Sequence, residues 1–530
     1  MPSIERPVRR LAQLAAAVSV TLAVSPAGAL AHASRGRAAR AGSALAPVRT
    51  HARTPARAAA HGPSVSAALK TLLRSSAIDE TAYQRDYSAY LAAKATVAKL
   101  KGTRKSELAA VMANVQAMAA AGEMTPSRLP VVFLTLERNR LWWSEDSLLG
   151  DDARVTFPGS HIIWEHYPGQ GIEIQWLATF GEANGYFLAG DENADLRALL
   201  SEVIPLATQR AGGIAWEYLF EFDGGAPPWT SGLSQGTALQ VLARAWQRFK
   251  EPAYLTAAQQ ALGIFEQPPP QGVRVDTPAG ALYAEYTYAP GDRILNGFIQ
   301  ALVGLYDYTS ITKDPLGLSL FEAGDAEARA ITPSYDTGAW SKYDQYGESD
   351  LSYHELLTEF LQHLCERTRK GPPLAPAPSA PPASGSGGSA TTPTSTTSAP
   401  TSTSTGGASA SAHKASASAP IAGDQVYCTA AQDFTADLRT APVVSLLSKR
   451  LPAHARAGVR LSLSKIATVK MVVRDGSRVV WTNTATVEGG KPRLLWVTPA
   501  KGGRFTVALT ATDLAGNAAA AEGTVTVSGR

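Results

Sequence analysis

The sequence is poor in the residues that build metal and redox sites. Only two cysteines occur in 530 residues, and there are nine histidines. No HExxH or CxxC spacing is present, and neither a Walker loop nor a dinucleotide-binding glycine pattern occurs. The sequence therefore gives no support for a metal or nucleotide cofactor, and we expect none.

Charge is also scarce, and it is unevenly distributed. Charged residues make up 18% of the chain, and the formal net charge is +4. That figure averages a net charge of +8 over residues 1–62, −12 over residues 63–370 and +9 over residues 442–530. Nucleic-acid binding requires basic charge across the binding face, so the acidic central region argues against a nucleic-acid partner.

Long hydrophobic runs are missing as well. The apolar stretch Leu11–Val24 falls short of the ~20 residues that a membrane-spanning helix needs, so we expect no transmembrane segment. This stretch follows three arginines and precedes small residues, which is typical of a secretory signal peptide over residues 1–33. A membrane anchor is the competing interpretation. We expect a secreted, extracellular protein in which the Ala- and Arg-rich residues 34–62 form a disordered spacer.

A second low-complexity region occupies residues 371–422, which contain no aromatic residue. Its Pro, Ser, Thr, Ala and Gly cannot bury enough apolar surface to fold, so we expect disorder. The flanking segments both show helical spacing, and they carry Cys365 and Cys428. In an exported protein such a pair favours a disulfide over two free thiols. The bridge would make residues 369–423 an insertion within one domain, 63–440, rather than a linker between two.

The spacing of apolar residues predicts the fold class. Residues 63–370 contain many helical stretches of similar length, which favours a mainly α chain with a toroid-like α/α barrel. Residues 441–530 contain short alternating runs, and Asp475-Gly476 between two of them is a hairpin turn sequence. We expect this C-terminal part to form an immunoglobulin-like β-sandwich.

Aromatic and polar segments are the candidate functional elements. They occupy residues 164–171, 227–236, 283–288 and 335–354. Aromatic rings stack on sugar rings, and neighbouring polar groups hydrogen-bond sugar hydroxyls, so these segments favour a carbohydrate site. Ordinary packing of Tyr and Trp at helix ends is the competing interpretation.

Several short motifs occur in a distinctive order. They are Ile172-Glu173-Ile174-Gln175-Trp176-Leu177-Ala178-Thr179-Phe180-Gly181, Ser231-Gly232-Leu233-Ser234-Gln235-Gly236, Glu285-Tyr286, Leu295-Asn296-Gly297-Phe298, Gly304-Leu305-Tyr306-Asp307, Tyr335-Asp336-Thr337-Gly338, Tyr343-Asp344 and Tyr353-His354. Together they resemble the C-terminal catalytic domain of the D-glucuronyl C5-epimerases, which convert glucuronate to iduronate units in heparosan-type chains. The resemblance spans roughly 130–368 and resumes at 424–440, and it implies the family's α/α barrel.

The resemblance implies that Tyr286, Tyr343 and Tyr353 are catalytic, with Glu285 beside the first. Epimerisation removes the C5 hydrogen, which lies α to the carboxylate, and returns a proton to the opposite face. Two acid/base groups must therefore flank the sugar ring, and neither needs a metal or redox cofactor. We expect Tyr353 and the Glu285/Tyr286 pair to act on opposite faces, with Tyr343 assisting.

Negative charge also builds on the substrate carboxylate, which requires a cation or hydrogen-bond donors nearby. Arg138, Arg140 and Arg293 are candidates, and a solvated helix face is the competing interpretation for the first two. The family often has an arginine three residues after the motif that matches Tyr343-Asp344, and this chain lacks it. The other expected substrate-binding residues are Trp164, His166, Tyr167, Gln175, Trp229, Gln235, Asn296 and Tyr335.

The predicted function is thus a secreted uronate C5-epimerase acting on an anionic, glucuronate-containing polysaccharide. One alternative is a polysaccharide lyase or glycoside hydrolase on a similar α/α toroid. A lyase would remove the same C5 proton but expel the 4-linked sugar. The other alternative is a non-catalytic carbohydrate-binding wall protein. The basic C-terminal region is compatible with cell-wall contact, although a plain spacer role is favoured.

Overall fold

The structure, a computed structural model, describes residues 62–373 and 425–528. The predicted signal peptide, the spacer up to residue 61 and residues 374–423 of the predicted insertion lie outside these ranges. Within them, no helix is long and apolar enough to cross a membrane.

Helices dominate the first described range, with short strands between them. The N-terminal elements are α1 (Val65–Arg74), α2 (Glu80–Lys99), α3 (Gly102–Ala120), α4 (Leu129–Glu145), β1 (Arg154–Val155), β2 (Trp164–Tyr167) and β3 (Gly171–Ile174). Next come α5 (Trp176–Ala189), α6 (Asn193–Val203), β4 (Thr208–Arg210), β5 (Gly213–Ala215), α7 (Gly232–Phe249), α8 (Pro252–Ala261), α9 (Gly263–Glu266), β6 (Arg274–Asp276) and β7 (Ala281–Tyr283). The last are α10 (Leu295–Thr312), α11 (Pro315–Ile331) and α12 (Leu351–Thr368).

The second described range begins with a helix and continues as strands. Its elements are α13 (Gln425–Asp437), β8 (Val444–Leu446), β9 (Arg450–Pro452), β10 (Arg456–Leu463), β11 (Ala467–Asp475), β12 (Arg478–Val487), β13 (Arg493–Val497), β14 (Gly503–Asp513) and β15 (Ala518–Ser528).

The prediction of a mainly α chain with an α/α barrel is wrong. The structure is about 47% helical with 22% strand, including a curled five-stranded sheet. The main helix contacts of the described residues run as a series, α5–α7–α10–α12–α13, with α2, α3 and α4 forming a second group. Apolar spacing predicts where individual helices lie, but it carries no information about how they are arranged around one another.

The immunoglobulin-like sandwich is not established either. The C-terminal strands form a three-stranded sheet, β13-β10-β8, and a five-stranded sheet, β12-β11-β14-β15-β9, in which β15 and β9 pair in parallel. Side chains of both sheets share one hydrophobic core. Alternation located the strands, and β11 and β12 do join at Asp475-Gly476, but strand pairing across long sequence separations is not encoded in alternation.

Local sequence explains where several helices begin. The Asp79 carboxylate accepts a hydrogen bond from the Ala82 N–H at 2.7 Å and caps α2. Asp350 caps α12 in the same way by accepting from the Tyr353 N–H at 2.9 Å. Such caps satisfy backbone N–H groups that have no partner within the helix. The cap at Asp350 also fixes the backbone position of Tyr353.

Helices α7 and α10 pack unusually closely. A Cβ at Gly304 would lie 2.0 Å from the carbonyl oxygen of Gly236, so neither position has room for a larger residue. Both helices are buried along most of their length in the main hydrophobic core. This pairing fixes the N-terminal ends of the two helices relative to each other.

A partly buried charge network ties α7, α10 and α12 together. Asp307 on α10 accepts hydrogen bonds from Arg244 at 2.9 Å, from Gln240 at 2.8 Å and from Arg367 at 2.6 Å. Burial alone would raise the pKa of Asp307, but the charges of Arg367 and Arg244 outweigh it and lower the pKa to about 2. The network therefore stabilises the three helices with an ionised carboxylate at its centre.

The predicted disulfide is confirmed. Cys365 near the end of α12 is bonded to Cys428 near the start of α13, across a sequence separation of 63 residues. The two helices also pack against each other. The helices that precede and follow residues 374–424 are therefore neighbours in the fold.

The C-terminal sheets contact the helical part through buried polar groups. Lys465 is 1% exposed and pairs with Asp513 at 2.8 Å, and its ammonium also donates to the carbonyl oxygen of Asp437 at 2.7 Å. Glu348, in the loop before α12, accepts a hydrogen bond from the Gly489 N–H at 2.7 Å. The β-rich part therefore supports the loop that carries Tyr343.

Replacing Asp307 by asparagine should lower the free energy of unfolding by about 2–4 kcal/mol, because two partly buried arginines lose their counter-charge. Urea unfolding followed by circular dichroism measures this. The stabilisation from Asp307 should persist at any pH above about 4 and should disappear as the pH falls through about 2.

The matched control is Asp276→Asn, which removes an exposed partner of Arg274 and should cost less than about 1 kcal/mol. Equal losses in the two variants would contradict a structural role for the buried network.

Candidate functional site

The residues singled out by the motifs converge where several loops meet the ends of helices. The site is built by the β2–β3 hairpin, residues 218–229, the segment after β7, the N-terminus of α10 and the loop of residues 335–350. Loops held by a rigid scaffold are the usual place for binding and catalytic side chains.

Glu285 is a deeply buried acid in this group. It follows β7 and is 1% exposed. A Cβ at Gly297, in the first turn of α10, would lie 2.3 Å from its Oε2 atom, so the glycine makes room for the carboxyl group. Burial raises the pKa of Glu285 to about 8, an effect opposed in part by the neighbouring Tyr286 phenol, and neither carboxyl oxygen has a hydrogen-bond partner among the described residues. A carboxyl with such a pKa changes its charge near neutral pH and is suited to proton transfer.

Tyr343 and Tyr353 lie together at the edge of the same cluster. Their ring centroids are 4.8 Å apart. The Tyr343 carbonyl accepts a hydrogen bond from the Leu295 N–H at the start of α10, which places this loop beside Glu285. Burial raises the pKa of both phenols, and the charge of Glu285 raises each further. The two tyrosines therefore hold their protons at neutral pH.

Tyr286 sits inside an aromatic wall. Its ring is 5.3 Å from Tyr288, 5.7 Å from Trp229 and 6.0 Å from Phe222. Trp229 in turn stacks on Tyr218 with centroids 4.3 Å apart. The pKa of Tyr286 is raised by burial and by the neighbouring Glu285 charge. Trp229, Tyr218 and Tyr286 are each 1% exposed, so these rings pack on one another beside Glu285.

Tyr218 is held by a buried ion network next to it in sequence. Glu217 accepts hydrogen bonds from Arg128 at 2.6 Å and from Arg210 at 2.6 Å. These two cations lower the pKa of Glu217 despite its burial. The backbone carbonyl of Glu217 accepts from the Trp176 Nε1–H at 2.8 Å. The segment leading to the aromatic wall is thereby fixed to α5.

Tyr167 and Gln175 extend the site along the β2–β3 hairpin. The Gln175 amide donates to the Tyr167 hydroxyl at 2.8 Å, and the Tyr218 hydroxyl donates to the Gln175 amide oxygen at 3.2 Å. The Tyr167 ring lies 4.5 Å from Phe220. Tyr167, Gln175 and Trp229 therefore belong to the same cluster as the four expected catalytic residues.

Asn296 is buried at the N-terminus of α10, next to Gly297. It is 2% exposed, and neither atom of its amide group has a hydrogen-bond partner among the described residues. A buried amide without partners is costly. Its position beside Glu285 is consistent with the expected substrate-binding role.

The three expected arginines lie elsewhere. Arg138 packs over the Phe157 ring at 4.7 Å. Arg140 pairs with Glu137, and both line a cavity of about 650 Å³ between α2 and α4. Arg293 is half exposed and lies 3.5 Å from Glu327. Each cation thus has a partner other than the tyrosine cluster.

Four other expected substrate-binding residues have structural contacts. Trp164 packs on Phe157, and the His166 Nδ1 atom lies 2.8 Å from the Gly150 carbonyl oxygen. The Tyr335 hydroxyl donates to the Arg293 carbonyl. The Gln235 amide donates to the Trp216 carbonyl at 2.9 Å and accepts from its N–H. Gln235 lies in the first turn of α7, since the Ser231–Gly236 motif opens that helix rather than forming a loop.

An acid and a cation in the β1–β2 pair, Glu165 and Arg154, were not among the predicted site residues. Glu165 is fully buried and lies 3.4 Å from Arg154. Burial raises the pKa of Glu165 to about 7, opposed by hydrogen bonding with Tyr167 and by the Arg154 charge. Its charge also raises the pKa of Tyr353. The i, i+2 spacing of Glu165 and Tyr167 places both side chains on one face of a strand. Since Tyr167 was a predicted substrate-binding residue, this spacing could have indicated Glu165 as well.

Comparison with known proteins supports a carbohydrate epimerase relationship for part of the chain. Residues 211–372 match the model of the D-glucuronyl C5-epimerase C-terminus. A D-glucuronyl C5-epimerase of Caenorhabditis elegans is 34% identical over 131 residues, which cover 22% of this chain and 21% of that protein. An uncharacterised protein of Methanocaldococcus jannaschii is 29% identical over 151 residues, covering 27% of this chain and 49% of that protein.

The matched region holds Glu285, Tyr286, Tyr343 and Tyr353 but not the β1–β3 sheet. The chain spans between 21% and 49% of the length of these relatives. Among solved structures, an engineered protein is 26% identical over 16% of this chain and 20% of that one, with a TM-score of 0.15. A score this low carries no information about the fold.

The buried carboxyl of Glu285 should make stability depend on pH. Its pKa of about 8 in the folded protein exceeds the ordinary value of 4.5, so its contribution is fully present below about pH 4.5 and is lost as the pH rises through about 8. Between about pH 5 and pH 9, the free energy of unfolding of wild type should fall by on the order of 2–4 kcal/mol more than that of Glu285→Gln, because the glutamine stays neutral.

Urea unfolding at the two pH values checks this difference, in which the contribution of Glu165 cancels. The exposed Glu322→Gln on α11 is the control and should follow wild type. A Glu285→Gln variant with the same pH dependence as wild type would refute the burial of an ionisable group at this position.

Proposed function

We propose that this chain is a uronate C5-epimerase. The premise is that residues 211–372 belong to the D-glucuronyl C5-epimerase family of isomerases. The proposed substrate is an anionic, glucuronate-containing polysaccharide. The observation that carries the proposal is one buried carboxyl of raised pKa, Glu285, surrounded by three tyrosines that hold their protons.

The proposed reaction begins at C5 of the uronate. The C5–H bond breaks, the proton passes to the Glu285 carboxylate, and the electron pair forms a C5–C6 double bond as charge moves onto the carboxylate oxygens. A proton then returns to C5 from the opposite face, and the C5–C6 double bond reverts to a single bond. The net change is inversion at C5 with no redox step, so acid/base groups suffice.

The side chains divide these roles by their protonation. A phenol whose pKa is raised is a proton donor and a poor base, which applies to Tyr353. A carboxyl with a pKa of about 8 is ionised in part at neutral pH and regains its charge readily. We therefore assign proton abstraction to Glu285, with Tyr286 next to it, and reprotonation to Tyr353, with Tyr343 assisting.

The aromatic wall supports a sugar substrate. Trp229, Tyr218, Tyr286 and Tyr288 form a continuous set of stacked and edge-on rings. Tyr288 is the partly exposed ring of this set and can stack on a pyranose ring, and the unpartnered amide of Asn296 can hydrogen-bond a hydroxyl. A site of this composition fits a neutral sugar face better than a nucleotide or peptide.

Secretion and wall contact remain part of the proposal. The basic, apolar and small-residue order of residues 1–33 supports export. A disulfide between Cys365 and Cys428 is consistent with an oxidising compartment. The net charge of +9 over residues 442–530 supports contact of the β-rich part with an anionic polymer.

The test is solvent-deuterium exchange at C5 of heparosan, followed by NMR in D₂O. Wild type should introduce deuterium at C5, and Tyr353→Phe should slow this at least about 100-fold because the opposite-face proton donor is lost. Circular dichroism establishes that the variant remains folded. Tyr87→Phe, which removes a hydroxyl on α2, should retain wild-type exchange.

Other outcomes separate the alternatives. A rise in absorbance at the unsaturated-uronate band would identify elimination and contradict epimerisation. A Tyr353→Phe variant that is indistinguishable from wild type in exchange would contradict the assigned role. An absence of exchange in wild type on every uronate polymer tried would favour a binding protein.

A further inference from the structure

Three charged side chains form a row across the small β1–β3 sheet. Arg154 on β1 is the Cα partner of Glu165 on β2, and Glu165 is the partner of Glu173 on β3. Directly opposed residues in antiparallel strands point to the same face of a sheet. One cation and two acids therefore share one surface of this sheet, and both acids are almost fully buried.

The row contains polar atoms with no partner. Among the described residues, neither Arg154 Nη2 nor Glu165 Oε1 makes a hydrogen bond, although both atoms are buried. The only recorded bond between the pair is a long one, 3.4 Å from Arg154 Nε to Glu165 Oε2. A buried guanidinium N–H and a buried carboxyl oxygen left unsatisfied are costly, and a ligand with oxygen atoms would satisfy them.

This face adjoins the tyrosine cluster. Tyr167, two residues beyond Glu165 on β2, projects to the same side, packs on Phe220 and accepts from Gln175. Phe220 contacts Trp229 at 5.7 Å, and Trp229 contacts Tyr286. The contacts thus run without a break from the charged row to the proposed proton-transfer groups.

We propose that Arg154 and Glu165 receive the C6 carboxylate of the uronate undergoing epimerisation. This inference rests on the proposed function and adds the residues that recognise the substrate's charge. Arg154 would donate through Nη2 and Nε to the carboxylate oxygens, and Glu165 in its protonated form would donate through one carboxyl oxygen.

The chemistry explains why a carboxylate needs such a pair. When the C5–H bond breaks, the electron pair moves toward C6 and charge on the carboxylate oxygens increases. A fixed cation and a neutral acid at those oxygens stabilise this charge more than they stabilise the ground state. Burial raises the pKa of Glu165 to about 7, so the carboxyl is protonated in about half of the molecules at neutral pH.

Arg154 supplies a cation to the site, whereas the three arginines expected to do so lie elsewhere. Arg138, Arg140 and Arg293 contact Phe157, Glu137 and Glu327 respectively. The Arg154 side chain is 23% exposed, so part of it borders solvent although its Nη2 atom is buried. The charge of its partner Glu165 also raises the pKa of Tyr353, which links Arg154 to the proposed proton donor.

The first test measures binding rather than turnover. Titration calorimetry compares a heparosan oligosaccharide with the same oligosaccharide after reduction of its carboxylates to primary alcohols. Wild type should prefer the carboxylated form by at least about tenfold, in line with a charge-assisted hydrogen-bonded pair. Arg154→Gln should bind both forms with equal affinity, because its neutral amide no longer distinguishes them.

The control is Arg138→Gln, which removes a cation that packs on Phe157 and should keep the wild-type preference. Arg154→Lys should restore part of the preference, since a charge returns without the planar geometry of the guanidinium. Thermal unfolding verifies that each variant is folded, and Arg154→Lys serves if Arg154→Gln is not.

The second test separates this inference from the proposed function. If wild type exchanges C5 hydrogen, Arg154→Gln should lower kcat/KM for exchange about 100-fold or more, with Arg138→Gln unchanged. An Arg154→Gln variant that keeps the wild-type preference for carboxylated oligosaccharide, or a wild type with no such preference, overturns the inference. A wild type that prefers the carboxylated form but never exchanges C5 hydrogen overturns the proposed function and leaves carboxylate recognition by Arg154 standing.

Discussion

The burial of one carboxyl group, Glu285, is the constraint on which the rest of the site depends. The group is accommodated because Gly297 leaves space at the start of α10 and because aromatic rings exclude water on the other side. An ionised carboxylate in such surroundings is disfavoured, so its pKa rises to about 8. The close packing of α7 on α10 and the Asp307 network hold this arrangement in place. Favourable contacts elsewhere in the fold thus offset the cost of burying the Glu285 carboxyl group.

A second constraint is electrostatic. An acidic body with a net charge of −12 over residues 63–370 repels an anionic polymer at long range. Within the site, however, the acids are buried and of raised pKa, so both Glu165 and Glu285 carry less charge at neutral pH than the composition implies. Arg154 then supplies a local positive charge against nearly neutral neighbours. Under the proposed function, recognition of a uronate depends on this local balance and not on the net charge of the chain.

Sequence reasoning located the secondary structure and the disulfide better than the architecture. The disulfide between Cys365 and Cys428 and the positions of most helices followed from composition and periodicity, and the tyrosines followed from resemblance. Helix arrangement could not be predicted, since it depends on contacts such as Gly236 with Gly304 across 68 residues of sequence. Arg154 and Glu165 were missed because they become neighbours only through strand register, whereas Arg138 seemed suitable from its charge alone and lies over Phe157.

The most direct measurement of the central claim is the rate of C5 hydrogen exchange in heparosan as a function of pH. Because Glu285 must be ionised to accept the C5 proton, the account predicts a rate that rises with pH through a midpoint near the Glu285 pKa of about 8. The same rise should be absent from the residual activity of Glu285→Gln. A wild-type rate that is independent of pH across this range, or a rise that survives in Glu285→Gln, would contradict proton abstraction by this carboxyl group.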